Sequence, residues 1–98
     1  MISRFEVWLV QLDPILPCVI ISPDEINHAD WTLIVAPLSS QIKKLPTRIP
    51  VELGGKQGQI LLDQIRSIDA KRCVKKLGKI DDHAGLEVLS KLREIFSV

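Results

Sequence analysis

Two short segments hold most of the side chains that could do chemistry. The first, Ala36-Pro-Leu-Ser-Ser-Gln-Ile-Lys-Lys-Leu-Pro-Thr-Arg48, sets two adjacent hydroxyls and an amide ahead of a group of cations. The Ser39 and Ser40 hydroxyls and the Gln41 amide can hydrogen-bond phosphate oxygens or base edges, and Lys43, Lys44 and Arg48 can neutralise a phosphodiester backbone. The second, Leu62–Asp69, brings Asp63, Gln64, Arg66 and Asp69 together near the end of a strand. Carboxylates beside an arginine can move protons, or they can simply pair on a surface, where such pairs contribute about 0–1 kcal/mol. Taken one at a time, the plainer readings are a solvated turn with a serine cap and a salt-bridged surface.

Other reactive side chains point to less. His28 and His83 are far apart among polar or acidic residues, which suits solvated positions better than acid–base work. Cys18 and Cys73 have no close cysteine neighbour, so zinc spacing is absent and buried free thiols are expected. Trp8 and Trp31 could stack bases, yet both lie in apolar stretches and are expected in the core or at a dimer contact. Lys71, Arg72, Lys75 and Lys76 form a basic run that reads equally as a phosphate-holding patch and as a solvated face.

The elements that must position these residues are mostly short strands. Phe5–Leu12 is β-branched and aromatic, apolar on both faces, and stopped by Asp13-Pro14. Cys18–Ile21 and Trp31–Ala36 are the next strands, separated by a polar stretch (25–30) that is a loop or one helical turn. Pro37–Pro46 follows as a loop. Arg48–Leu53 alternates, with Ile49, Val51 and Leu53 on one face, and Pro50 marks it as an edge. Gly54-Gly55 is a turn, Gln59–Leu62 resumes as a strand, and Ile65–Ile68 continues it. A closing helix begins at Asp81 or Asp82, and Leu86, Leu89, Leu92 and Phe96 form its apolar stripe. Gly85 inside that helix costs about 1 kcal/mol against alanine, so packing must hold it.

Composition sets bounds. The 98 residues suffice for one domain, 1–98, with a real core, and an apolar fraction of 46% argues against disorder. Lys and Arg total 13 against 12 Asp and Glu, a formal net charge of +1. A nucleic-acid partner would therefore be held by a local patch, not by a generally basic surface. No apolar run approaches a membrane span, and no signal-peptide pattern opens the chain, so the cytoplasm is the expected compartment.

Taken in order, Glu6-Val-Trp-Leu-Val-Gln-Leu-Asp-Pro14, Pro17-Cys-Val-Ile-Ile-Ser-Pro23, Val35-Ala-Pro-Leu-Ser-Ser40, Leu45-Pro-Thr47 and Asp63-Gln-Ile-Arg-Ser-Ile-Asp69 resemble the MazF/PemK toxins. The likeness runs over nearly the whole chain. It implies a mainly β (α+β) fold, a small SH3-like β-barrel with a C-terminal helix of the CcdB/Kid/MazF kind, forming a homodimer. It also implies the toxin of a type II toxin–antitoxin system: an endoribonuclease, working without metal or cofactor, that cleaves single-stranded RNA through 2′-hydroxyl attack. A cognate antitoxin protein blocks the RNA groove. On this likeness Ser39 and Asp63 match catalytic positions, and Ser40, Gln41, Lys43, Lys44, Arg48, Gln64 and Arg66 are expected to contact RNA.

The sequence departs from the family in its arginines and in one loop. The longer polar loop between the first two strands is missing, and Leu16 stands where the family carries an arginine directly before a proline. Leu61 stands where some members carry a second one. Losing one transition-state donor of this kind costs about 10²–10³ in rate. The alternative implied by this gap is a catalytically impaired dimer that binds antitoxin or RNA without cutting.

Overall fold

Strand β3 organises the molecule, because three different strands pair with it along its length. The computed structural model describes residues 1–98. The strands are β1 (Glu6–Val10), β2 (Leu16–Ile20), β3 (Thr32–Ser39), β4 (Arg48–Leu53), β5 (Lys56–Leu61), β6 (Arg66–Asp69) and β7 (Cys73–Lys79). Helix α1 (Asp24–Asn27) is a single turn, and α2 (Asp82–Ile95) closes the chain. The strand order is β4-β5-β3-β2-β1-β7, with β6 also on β3. Thr32–Val35 pairs with β6, Val35–Pro37 with β2, and Leu38–Ser39 with β5, all antiparallel. A strand that changes partners midway must bend and twist, so the sheet curls into a half-barrel.

The two faces of the curl are both apolar, as the doubly apolar β1 predicts. On the concave side Val7, Val19, Ala36, Ile49, Ile60, Leu62 and Ile80 pack against Ala84 and Val88 of α2. On the other side Val10, Cys18, Ile20, Leu33, Val35 and Ile68 form a second cluster. Burial pushes the Cys18 and Cys73 thiols up to about 11, so both stay protonated; Cys18 is buried as expected, whereas Cys73 is only half-buried. The mostly β fold with a C-terminal helix is the expected one. Pro50 does lie on an edge strand, since β4 ends the sheet. Gly54 and Gly55 turn the β4–β5 hairpin at φ of +58° and +80°.

The structure differs from expectation in several places. Strand β3 does not stop at Ala36 but runs on to Ser39, because Leu38 and Ser39 find ladder partners on β5 that a single segment cannot reveal. β5 starts at Lys56, and a 3₁₀ turn (Leu62–Gln64) separates it from β6. The basic run is split: Lys71 and Arg72 lie in a 3₁₀ turn (Ala70–Arg72), whereas Lys75 and Lys76 lie on β7, paired with β1 through two irregularities in register, and all four are exposed; lysines suit such an edge strand, where charge discourages further pairing. On α2 the core-facing residues are Ala84, Gly85, Val88 and Leu92, while Leu86 and Phe96 are 67% and 70% exposed. Trp31 is also outside the core, at 73% exposure. Trp8 is half-buried, and its indole N–H donates to Glu6 at 3.0 Å.

Candidate functional site

The strand registers determine which residues share a face. Alternation along β3 sets Leu33, Val35, Pro37 and Ser39 on one side and Ala36 and Leu38 on the concave side. Directly paired residues point the same way, so Ser39 lies in one row with Gln59 of β5 and Pro50 of β4. Arg48 pairs with Leu61 in the next row, which an extension of the β3–β5 register aligns with Pro37, and the row beyond holds Val35 with Arg66 of β6. Rows on one face repeat about every 7 Å along a strand, so Arg66 is about 13 Å from Ser39. Extending the β2–β3 register by one row brings Leu16 beside Ser39. The arginine expected by resemblance would therefore sit next to the serine, and a half-buried leucine occupies that place.

Local bonding holds the segment after Ser39 in one shape. The Gln41 N–H donates to Ser39 Oγ at 3.1 Å, the short turn that a serine at a strand end favours. Two residues on, the Lys43 N–H donates to Gln59 Oε1 at 3.0 Å, and Gln59 Nε2 donates back to the Lys43 carbonyl at 2.9 Å. The far end is tied by Asp63, whose carboxylate accepts from Thr47 Oγ1 at 3.0 Å and from Arg48 Nε and Nη2 at 3.0 and 3.3 Å. Burial alone would raise the Asp63 pKa. The hydrogen bonds from Arg48, its own backbone and Thr47, with the Arg48 charge, outweigh that and hold it below the usual carboxylate range. The Arg48 side chain is only 7% exposed. Gly58 permits the close crossing of β5 over β3, since a Cβ there would lie 2.9 Å from the Ser39 carbonyl.

Of the residues singled out from sequence, the fold gathers Ser39, Ser40, Gln41, Lys43 and Lys44 along one strand end and its pinned loop. Ser39 and Ser40 also border a groove of about 170 Å³ with Leu38, Val51, Lys56 and Gly58. Arg48 and Asp63 are joined to each other, and no hydrogen bond links Ser39 to Asp63. Gln64 and Arg66 are exposed, with Arg66 two rows away. Sequence reasoning missed Gln59, which reads as an ordinary strand residue. The available signal was a glutamine among Ile60, Leu61 and Leu62, where an apolar residue is the default. His83 is exposed and paired with Glu87, and His28 faces the Ile2 carbonyl, so neither joins the site. No three His, Cys, Asp or Glu side chains are grouped so as to hold a metal ion.

A curled antiparallel half-barrel, closed by one helix and carrying a hydroxyl- and cation-rich loop at a strand end, places the chain among small β-barrel domains. Residues 3–96 match the PemK-like, MazF-like toxins of type II toxin–antitoxin systems, and the chain belongs to that family. Its fold is shared with MazF in a MazE–MazF crystal structure from Deinococcus radiodurans (TM-score 0.88, 21% identity, 99% of this chain and 97% of that one). An endoribonuclease in complex with its cognate antitoxin, from a mycobacterial species, superposes with TM-score 0.91 at 16% identity, covering 100% and 97%. The Mycobacterium tuberculosis toxin MazF-mt6 gives 0.84 at 17% identity, covering 95% and 97%. At such identities the likeness speaks to fold, which agrees closely over the whole length.

Proposed function

We propose that this toxin-family chain, acting as one domain over residues 1–98, is an endoribonuclease that cleaves single-stranded RNA without a metal ion. The observation that carries the reading is the row containing Ser39, with the Lys43–Lys44 loop pinned beside it and the Arg48–Asp63 pair one row away. In the proposed reaction the ribose 2′-oxygen attacks the adjacent phosphorus, a 2′-O–P bond forms, and the P–O5′ bond breaks. The products are a 2′,3′-cyclic phosphate and a 5′-hydroxyl. Ser39 Oγ aligns the attacking hydroxyl. A phosphate displaces Asp63 from Arg48, which turns the guanidinium towards the phosphorane and frees the carboxylate to take the 2′-proton. Water supplies the proton that the leaving 5′-oxygen needs. Ser40, Gln41, Lys43, Lys44, Gln64 and Arg66 contact bases and phosphates along the strand. The partners are a second copy of the chain and a cognate antitoxin, in the cytoplasm; no helix here is long and apolar enough to cross a membrane.

A specific observation favours a second reading. Leu16, which an extension of the β2–β3 register sets beside Ser39, stands where the resembling family carries an arginine, and Arg48 is paired with Asp63. A dimer that binds antitoxin and RNA but cuts slowly fits those facts. One experiment separates the two: antitoxin-free protein is incubated with single-stranded RNA in EDTA, and the ends are analysed. Cyclic-phosphate products, reduced about tenfold or more by Ser39→Ala, support the nuclease. RNA that is retained but stays intact supports the binder.

A further inference from the structure

We infer that Gln59 is a positioning residue that holds the lysine loop in its RNA-binding shape, an inference that rests on the RNA-directed reading above. Gln59 is 6% exposed, yet neither end of its amide is wasted. Its oxygen accepts from the Lys43 N–H and its nitrogen donates to the Lys43 carbonyl, a reciprocal pair that mimics a ladder pairing for a residue outside the sheet. The same carbonyl also accepts from the Leu45 N–H at 3.1 Å, so the clamp fixes the turn of the loop as well as its distance from the sheet.

Gln59 is also the direct cross-strand partner of Ser39. One side chain thus references the loop to the strand end where the hydroxyl sits. Between Gln41 and Leu45 no other side chain bonds the loop's backbone. Without the clamp, Lys43 and Lys44 would sample many positions, and ordering them on RNA would cost backbone entropy at the moment of binding. The clamp removes that cost before RNA arrives. It accounts for a buried amide on a strand whose following residues are all aliphatic.

The test uses the full chain and a single-stranded RNA that the wild type binds. Gln59→Met keeps length and bulk but makes no hydrogen bond; Gln59→Glu keeps the acceptor and, when ionised, loses the donor. Urea melts identify folded variants. For Gln59→Met the expected result is about tenfold weaker RNA binding and a higher KM, with a smaller change in kcat, and a salt slope shallower by about 1 because two lysines no longer engage phosphates reliably. Gln59→Glu falls between the two. In the Gln59→Met background, Lys43→Ala with Lys44→Ala costs less than in the wild type. A folded Gln59→Met with wild-type affinity and salt slope overturns the inference; should that variant not fold, unchanged binding by Gln59→Glu does so. Silence of the lysine double variant in the wild type overturns it as well. If the wild type neither binds nor cuts RNA, the RNA-directed reading itself has failed, an outcome distinct from an active wild type indifferent to Gln59.

Discussion

At the scale of single residues, chemistry depends on which side chains are free and which are already engaged. Asp63 and Arg48 look like independent candidates in sequence, but they form a two-point ion pair with Thr47 attached. Neither is available until something competes, and an RNA phosphate is a natural competitor for a guanidinium. Ser39 is engaged only through its lone pair, by the Gln41 N–H, which leaves its proton free to donate. Beside it stands Leu16. Because the register brings these two together, Leu16→Arg is expected to raise the cleavage rate by about 10²-fold, measured as kcat on a fixed RNA substrate. No gain in a folded Leu16→Arg protein would show that charge at this place is not what limits the reaction.

At the scale of elements, two glycines illustrate close approach. Gly85 costs α2 some helix propensity, but a Cβ there would lie 2.6 Å from the Phe5 ring, so the glycine makes the seat on which that ring packs. Alanine should gain about 1 kcal/mol locally and lose about 1–3 kcal/mol to overpacking. Gly85→Ala is therefore expected to lower the urea midpoint, and in a Phe5→Leu background the same change becomes neutral or stabilising. An increase in midpoint with Phe5 intact would refute the packing account. The helix stripe also shows where periodicity misleads. Leu86, Leu89, Leu92 and Phe96 recur at helical spacing, yet α2 buries Ala84, Gly85 and Val88, because the concave sheet admits small side chains close to the helix axis.

At the scale of the molecule, buried charge ties distant segments together. Glu6 on β1 accepts from the Ser3 N–H and the Trp8 indole and pairs with Lys76 of β7 at 2.9 Å. Burial raises its pKa, but those three partners more than offset it, and the carboxyl is held below its ordinary value. Asp63 is lowered in the same sense. A carboxyl with a lowered folded pKa adds stability that is present above its unfolded pKa and is lost as pH falls through the folded one. The melting temperature should thus hold between about pH 7 and pH 5 and drop below about pH 4. Glu6→Gln, which keeps an acceptor for Ser3 and Trp8 but leaves the half-exposed Lys76 to water, should cost about 0.5–1.5 kcal/mol near neutral pH and flatten the acid decline. An acid decline as steep in Glu6→Gln as in the wild type would exclude Glu6 as a source of it.

The amino-acid sequence alone determined the strand-rich character, the β4–β5 hairpin with its Gly54-Gly55 turn, the N-cap of α2 and the family, since each rests on neighbouring residues or on motifs in order. Ser39 and the loop cations were legible for the same reason. Tertiary structure decided the rest. β7 has no apolar alternation and exists because β1 offers it a ladder. The last residues of β3 are strand because β5 crosses them. Gln59 became a clamp, Arg48 a tethered cation and Leu16 a neighbour of Ser39 through cross-strand registers and through contacts between residues 15 or 16 positions apart. Local periodicity carries no information about such pairings; they follow from how the sheet curls, which the whole chain settles at once.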